Sequence, residues 1–317
     1  MIKPKEKNSD GKIYITTKGF ELVAVTKDKK NIFLVFEDKN LVDIEIENQN
    51  ELPVGTRCVG KVESISKNIN SAYILLPDKS RAFLKNIGNE LKCEQSVAVE
   101  ITRSSSKGKL PSVSLIEEDI THKSDLTYIK KGPRVFEKLF DKYEFTNILT
   151  DSDDLFDDIS TFCKNQNVLD LSLVHRYNDS MVSLSVLYSV SKHLEEATSK
   201  LVWLKSGANI LIEETNAFTV IDINSAKNEK GKNISFLEIN KEAAEEIFRQ
   251  MNLRNISGII LVDFINMNPE DNKELLGFLK ELSQTQKCFT KVVDITPLGI
   301  AEITRKKVGP TLSDIYK

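Results

Sequence analysis

The chain has 317 residues, of which 40% are hydrophobic and 29% charged, and its formal net charge is −3. This length and composition fit a globular protein of two domains or three subdomains, and no apolar run is long enough to cross a membrane. Four dispersed cysteines and three dispersed histidines argue against a disulfide framework and a zinc site, and they favour a reducing cytoplasm as the location.

The first predicted elements are short strands. Residues 1–12 are polar and charged, and we expect a disordered tail there, neither a signal peptide nor an anchor. Between residues 13 and 53 hydrophobic and polar residues alternate, most clearly at 31–36 and 41–46. The polar stretch 37–40 between them is typical of a hairpin turn.

Residues 54–116 contain a second run of strands, predicted at 56–65, 71–76, 82–84, 96–102 and 112–115. Five short strands without a long helix are typical of a small closed barrel of the OB type. Such barrels bind single-stranded nucleic acid by stacking bases on aromatic rings beside a basic side chain, and the candidates here are Tyr73, Phe83 and Lys107. The alternative, that Tyr73 and Phe83 belong to the barrel core, stays open.

The pattern between residues 117 and 207 is mixed. We predict helices at 135–140 and 155–163, the second with Asp154 as its N-cap, and a strand at 146–150. Residues 184–204 are predicted to be mainly helical, and the helix is predicted to end at 205–207 because glycine commonly ends a helix.

The last segment is organised around two apolar runs, 218–224 and 259–266, which contain Asp222 and Asp263. Both runs predict strands buried on both faces, and residues 236–255 between them have the spacing of an amphipathic helix. A strand, a helix and a strand in this order place both aspartates at one end of one sheet, where their oxygens suit magnesium or manganese. The alternative, that each aspartate is a helix cap or a turn residue, stays open on the residues alone.

Several of these stretches resemble bacterial ribonucleases of the E/G family. In the barrel the similarity lies at 59–62, 70–74 and 82–84. It is stronger from Asn209 onwards, where the sequence Thr219-Val220-Ile221-Asp222-Ile223-Asn224 is similar to the family's catalytic motif. Further matching stretches are 240–247, 250–254, 258–267 and 294–306.

The resemblance implies a mixed α+β fold in three parts. An S1 RNA-binding barrel of the OB type (54–116) is inserted near the N-terminus of a ribonuclease H-like subdomain. That subdomain comprises the strands of 13–53 and a reduced segment, 117–207. A DNase I-like α/β catalytic subdomain (208–317) follows.

The resemblance also implies an activity, that of a magnesium-dependent endoribonuclease in RNA processing or in the decay of mRNA. In the family a metal-activated water attacks a phosphodiester bond of single-stranded RNA. The metal ligands match Asp222 and Asp263, and Asn224 matches an asparagine that orients them or the water. Mn²⁺ is an alternative to Mg²⁺. A catalytically weak or inactive RNA-binding protein that retains the fold is the alternative function.

Further basic residues are candidates for RNA contact. They are Lys109 beside Lys107, three lysines of a glycine-bearing loop, and two residues of a predicted terminal helix: Lys227, Lys230, Lys232, Arg305 and Lys306. A solvated loop explains the three loop lysines equally well, and a surface turn that complements a helix dipole explains the last two.

Two features of the family have no match in this sequence. The Cys-x-x-Cys zinc link is missing, so we expect no zinc, and any homodimer should not be zinc-linked. The Arg-Thr pair that contributes to sensing a 5′-monophosphate is not evident in 117–135, so we expect no 5′-end sensing.

Overall fold

The structure is a computed structural model that describes residues 19–87, 91–105, 109–122, 126–166, 171–215, 217–225, 235–286 and 288–316. The predicted tail at 1–12 and the candidates Lys107, Lys227, Lys230 and Lys232 lie outside the described residues. None of the helices in these ranges is long and apolar enough to cross a membrane.

The strands have the following bounds: β1 Phe20–Lys27, β2 Lys30–Glu37, β3 Asn40–Asn48, β4 Arg57–Ser66, β5 Ser71–Leu75, β6 Arg81–Lys85, β7 Ser96–Arg103, β8 Ser112–Leu115, β9 Tyr128–Lys130, β10 Phe145–Thr150, β11 Val174–Arg176, β12 Leu201–Trp203, β13 Asn209–Glu214, β14 Phe218–Asn224, β15 Gly258–Asp263, β16 Thr290–Ile295 and β17 Ile300–Arg305. The α-helices are α1 Val135–Lys142, α2 Asp153–Gln166, α3 Leu184–Leu187, α4 Val190–Thr198, α5 Phe236–Leu253, α6 Pro269–Gln284 and α7 Leu312–Tyr316.

The first sheet has five strands in the order β11-β10-β1-β2-β3. Its two faces are both covered, one by α1 and α2 and the other by α3 and α4, because residues of β1 and β2 alternate between two hydrophobic clusters.

The predicted hairpin at 37–40 is confirmed. The predicted cap of α2 is wrong: the helix begins at Asp153, and Ser152 Oγ accepts a hydrogen bond from the Leu155 amide.

The barrel is inserted in the chain between β3 and α1. Strands β4 to β8 form the order β5-β6-β8-β7-β4, and the β4–β5 pairing closes the ring, so the predicted five-stranded barrel is confirmed. β9 also pairs with β4, so the barrel sheet extends beyond the boundary predicted at residue 116.

The second open sheet has six strands in the order β12-β13-β14-β15-β17-β16. Helices α5 and α6 cover one face, where their apolar residues join the largest core cluster. The residues that the structure describes leave the opposite face open: Phe218 is 39% exposed and Ile259 is 54% exposed. The prediction that these strands are buried on both faces is therefore wrong.

The helix predicted at 184–204 also requires a correction. Its last residues form strand β12, which pairs with β13.

The C-terminal segment joins the two open sheets. Leu253 at the end of α5 and Leu312 in α7 both belong to the hydrophobic cluster of the first sheet. Lys30 Nζ also donates a hydrogen bond of 2.7 Å to the Ile315 carbonyl. The two sheets therefore share a packed boundary.

Candidate functional site

Asp222 and Asp263 lie side by side at the ends of two neighbouring strands. β14 and β15 pair in parallel, and their register aligns Asp222 directly with Asp263. Partners in a parallel pair are about 4.8 Å apart and project from the same face of the sheet. The predicted meeting of the two aspartates is therefore confirmed, and their role as metal ligands stays a prediction.

The helix between these strands accounts for their parallel pairing. α5 begins with a capping box, in which Ser235 Oγ accepts a hydrogen bond from the Glu238 amide and the Glu238 carboxylate accepts one from the Ser235 amide. The helix then buries Ile239, Ala243 and Ile247 against the sheet. A crossover of this kind returns the chain to the same sheet in the same direction.

Alternation along the strands separates the two aspartates from the core. Ile221, Ile223 and Val262 are buried on the side of α5 and α6. Asp222 is half-buried and Asp263 is exposed on the open face. Both carboxylates can therefore bind a ligand from solution without the energetic penalty of a fully buried charge.

Asn224 lies two residues beyond Asp222 on the same face. Its Nδ2 donates a hydrogen bond of 2.8 Å to Asp222 Oδ2. An ionised carboxylate has about four acceptor sites on its two oxygens, so this bond orients Asp222 and leaves it able to bind a cation.

The chain that follows Asp263 is held by Asn240 of α5. This side chain is fully buried, and it bonds both polar groups of Ile265: Nδ2 donates to the carbonyl at 2.8 Å, and Oδ1 accepts from the amide at 3.1 Å. Sequence reasoning missed Asn240, although a polar residue on the apolar face of a predicted helix is a signal that could have identified it.

The two carboxylates at this end of β14 and β15 are suitable ligands for magnesium. Among the described residues, no third histidine, cysteine, aspartate or glutamate joins the pair to form a larger metal-binding group. Magnesium commonly binds through one or two carboxylates and completes its octahedron with water and substrate phosphate oxygens. Asp222 and Asp263, open to solvent on one side, meet that requirement.

Tyr73 and Phe83 form a pair on the outer surface of the barrel. They are register partners on β5 and β6, with ring centroids 5.6 Å apart. Their neighbours Ala72 and Ala82 are fully buried in the barrel core, whereas both rings are partly exposed. The core interpretation is therefore wrong, and base stacking on the two rings stays a prediction.

The predicted basic contacts have different placements. Lys109, at the edge of the barrel, and Lys306, just after β17, are exposed, and their contact with RNA stays a prediction. Arg305 requires a correction, because it lies on strand β17, not on a helix, and is only 6% exposed. Its Nη1 donates to the carbonyls of Met251 and Ile256 at 2.9 and 2.7 Å, so its guanidinium binds the end of α5 in the interior and is not available to a phosphate.

Comparison with known proteins gives a consistent result. The model of the Ribonuclease E/G family matches residues 56–308. Ribonuclease E of Synechocystis is 40% identical over 139 residues, which are 42% of this chain and 21% of that protein. Ribonuclease G of Salmonella typhimurium is 35% identical over 132 residues, 41% of this chain and 27% of that protein. Ribonuclease E of Buchnera aphidicola is 25% identical over 274 residues, 80% of this chain and 27% of that protein. In each of these comparisons the chain thus covers between 21% and 27% of the length of the relative.

Proposed function

Because the chain belongs to the ribonuclease E/G family, we propose that it is a magnesium-dependent endoribonuclease that cleaves single-stranded RNA in RNA processing or decay. The observation that carries this proposal is the register of Asp222 with Asp263 on the open face of the sheet. Neither carboxylate forms an ion pair within the described chain, so an ion pair does not explain their position.

Each residue of the site has a distinct part in the proposed reaction. Asp222 and Asp263 would hold the metal, and Asn224 keeps the Asp222 carboxylate oriented through its hydrogen bond. The chemistry that magnesium would supply there is neutralisation of charge on a phosphate oxygen and a lowered pKa for a bound water that could attack phosphorus in line. Asn240 fixes the chain just beyond Asp263 and thereby limits how far that carboxylate can move.

In the proposed reaction the barrel binds the RNA strand. Tyr73 and Phe83 offer two adjacent ring faces to bases, and Lys109, three residues before the register partner of Phe83, offers a cation. Stacking of this kind tolerates many sequences, because every base has an aromatic face. We assign the barrel to the S1 type, the first sheet to a reduced ribonuclease H-like subdomain and the second to a DNase I-like subdomain. The insertion of the barrel between β3 and α1 supports this division.

The test is cleavage of a short, labelled, AU-rich single strand in the presence of magnesium. We expect the wild-type chain to cut it, and Asp222→Asn and Asp263→Asn to lose most of the activity because the ion loses a carboxylate ligand. Asp38→Asn is the matched control, because Asp38 is exposed in the turn between β2 and β3, where its φ of 47° suits asparagine.

Equal cleavage by the wild type and both site variants would identify a contaminating nuclease and remove the enzyme assignment. Retained RNA binding without any cleavage by the wild type would support the alternative function, a binding protein that keeps the fold.

A further inference from the structure

The only tryptophan of the sequence, Trp203, lies on the open sheet face close to the acidic pair. It pairs with Asn209 across β12 and β13, and Asn209 pairs with Asn224 across β13 and β14. The three residues form one row across the sheet, next to the row that contains Asp222. Two strand spacings place the backbone of Trp203 about 10 Å from that of Asn224.

The exposure of this side chain is unusual for its chemistry. Its neighbours Val202 and Leu204 pack against the core, so alternation directs Trp203 to the open face, where it is 65% exposed. Within the described part of the chain, its indole makes no hydrogen bond and no ring contact. An aromatic ring of this size normally buries about 150–250 Å². A ring that stays in water beside a reaction centre is therefore a candidate platform for a ligand.

The surroundings of Trp203 favour a nucleic acid base. Leu201 on the same strand face is 40% exposed and widens the apolar surface. Asn209 contributes an amide between the indole and Asn224, and Lys205 just beyond the strand is exposed. A flat ring with an adjacent amide and a nearby cation is the combination that binds single-stranded nucleic acid, through stacking, hydrogen bonds and phosphate contact.

We propose that Trp203 stacks a base of the RNA strand whose phosphate would be bound through the metal at Asp222 and Asp263. The proposal rests on the proposed function and adds a contact at the reaction centre that is separate from the barrel rings. Because stacking strength differs among bases, Trp203 then influences which nucleotide is preferred near the cut.

The first measurement uses the fluorescence of this tryptophan. The full chain, in magnesium so that the ion stays in place, is mixed in a stopped-flow instrument with a short labelled single-stranded RNA and read before cleavage proceeds, and binding is followed independently by the anisotropy of the label. We expect the fluorescence to change in step with the anisotropy, because a stacked base alters the surroundings of the indole. Fluorescence that does not change at saturating RNA would overturn the proposal.

The second measurement compares variants by the same anisotropy assay. Trp203→Ala should weaken binding by about 5- to 150-fold, the range that corresponds to the loss of one stacked base. Trp203→Phe should recover most of the affinity, because it retains a ring face. Phe218→Ala is the matched control, because Phe218 lies on the same open face at the far end of β14, four residues or about 13 Å from Asp222. Circular dichroism checks that every variant is folded.

Two outcomes count against the proposal. Equal RNA affinity in Trp203→Ala and the wild type would overturn it, while loss of cleavage in Asp222→Asn would still support the proposed function. If sedimentation shows a self-association that both Trp203→Ala and Phe218→Ala abolish, and RNA affinity is unchanged, the open face binds a second copy of this chain instead of a base.

Discussion

Asn240 holds Ile265 by two hydrogen bonds, one to each polar group of its backbone. Ile265 is two residues beyond Asp263, and Asn240 lies on the helix that crosses between the two aspartate-bearing strands. The helix that pairs the strands therefore also fixes the chain that leaves the site. This relationship couples the stability of the sheet to the position of one carboxylate.

Replacing Asn240 by leucine should lower both stability and metal affinity. The change leaves the amide and carbonyl of Ile265 without their partner, which we expect to cost about 1–3 kcal/mol of unfolding free energy. Urea unfolding and Mn²⁺ binding measure the two effects. Asn50→Leu, at an exposed position, is the control and should change stability by less than about 0.5 kcal/mol.

The variant Asn240→Asp adds a dependence on pH to the same test. A buried carboxylate facing the Ile265 carbonyl is disfavoured until it is protonated, so its pKa should be raised in the folded state. Folding then takes up a proton, and the stability deficit relative to the wild type should shrink as the pH falls from 8 to 5. A deficit that is independent of pH would contradict the assigned hydrogen bonds.

Replacing Asn224 by alanine should weaken metal binding or cleavage by about 10- to 100-fold, the usual effect of losing a residue that orients a metal ligand. The physical reason is the loss of the 2.8 Å hydrogen bond to Asp222. RNA affinity in EDTA should stay unchanged, which separates orientation from strand binding. Ser225→Ala, at the next exposed position, is the control, and equal losses in both variants would argue against a specific role for Asn224.

The paired rings of the barrel should act together in RNA binding. Tyr73→Ala and Phe83→Ala should each weaken binding by about 1–3 kcal/mol. Because the ring centroids are 5.6 Å apart, the double variant should lose less than the sum of the two single losses. Fluorescence anisotropy measures these affinities, and Tyr128→Ala, at a half-exposed ring elsewhere on the barrel sheet, is the control. Losses that add fully would contradict a shared binding surface.

Glu47 should make the stability of the first sheet depend on pH. Burial favours its neutral form, but hydrogen bonds from Arg134 and Asn31 outweigh that effect and hold the pKa of Glu47 below its ordinary value. A carboxylate whose pKa is lowered on folding stabilises the protein above the pKa of the unfolded chain, and that stabilisation is lost as the pH falls through the folded pKa.

We therefore expect Glu47→Gln to lower the unfolding free energy at pH 7 by about 1–3 kcal/mol. The difference from the wild type should diminish as the pH falls below the ordinary glutamate value of 4.5. Urea unfolding at pH 7, 5 and 3.5 tests this, with the exposed Glu144→Gln as control. A difference of the same size at pH 3.5 would show that the effect of Glu47 is not electrostatic.

The elements that could be predicted from sequence are those whose signals are local. The alternation of β4 to β8, the two apolar runs and the amphipathic helix between them all identify their own secondary structure. The meeting of Asp222 and Asp263 followed from chain order alone, because a strand, a helix and a strand return to one sheet in parallel.

The residues that sequence reasoning misplaced depend on distant contacts. β12 follows a helix with little interruption and becomes a strand only through pairing with β13. Arg305 precedes two lysines and therefore resembles a surface residue. Its guanidinium is nevertheless buried, where it donates hydrogen bonds to carbonyls at the end of α5 and just beyond it. The open face of the second sheet could not be predicted either, because apolar strands do not reveal which of their faces has a covering layer.

The most direct test of the account is the binding of Mn²⁺ to the full chain, followed by electron paramagnetic resonance in competition with Mg²⁺. We predict one site in the wild type, at least about tenfold weaker binding in Asp222→Asn and in Asp263→Asn, and no change in Asp38→Asn. If both site variants bind Mn²⁺ as tightly as the wild type, the two aspartates do not hold the metal, and the proposed mechanism is contradicted.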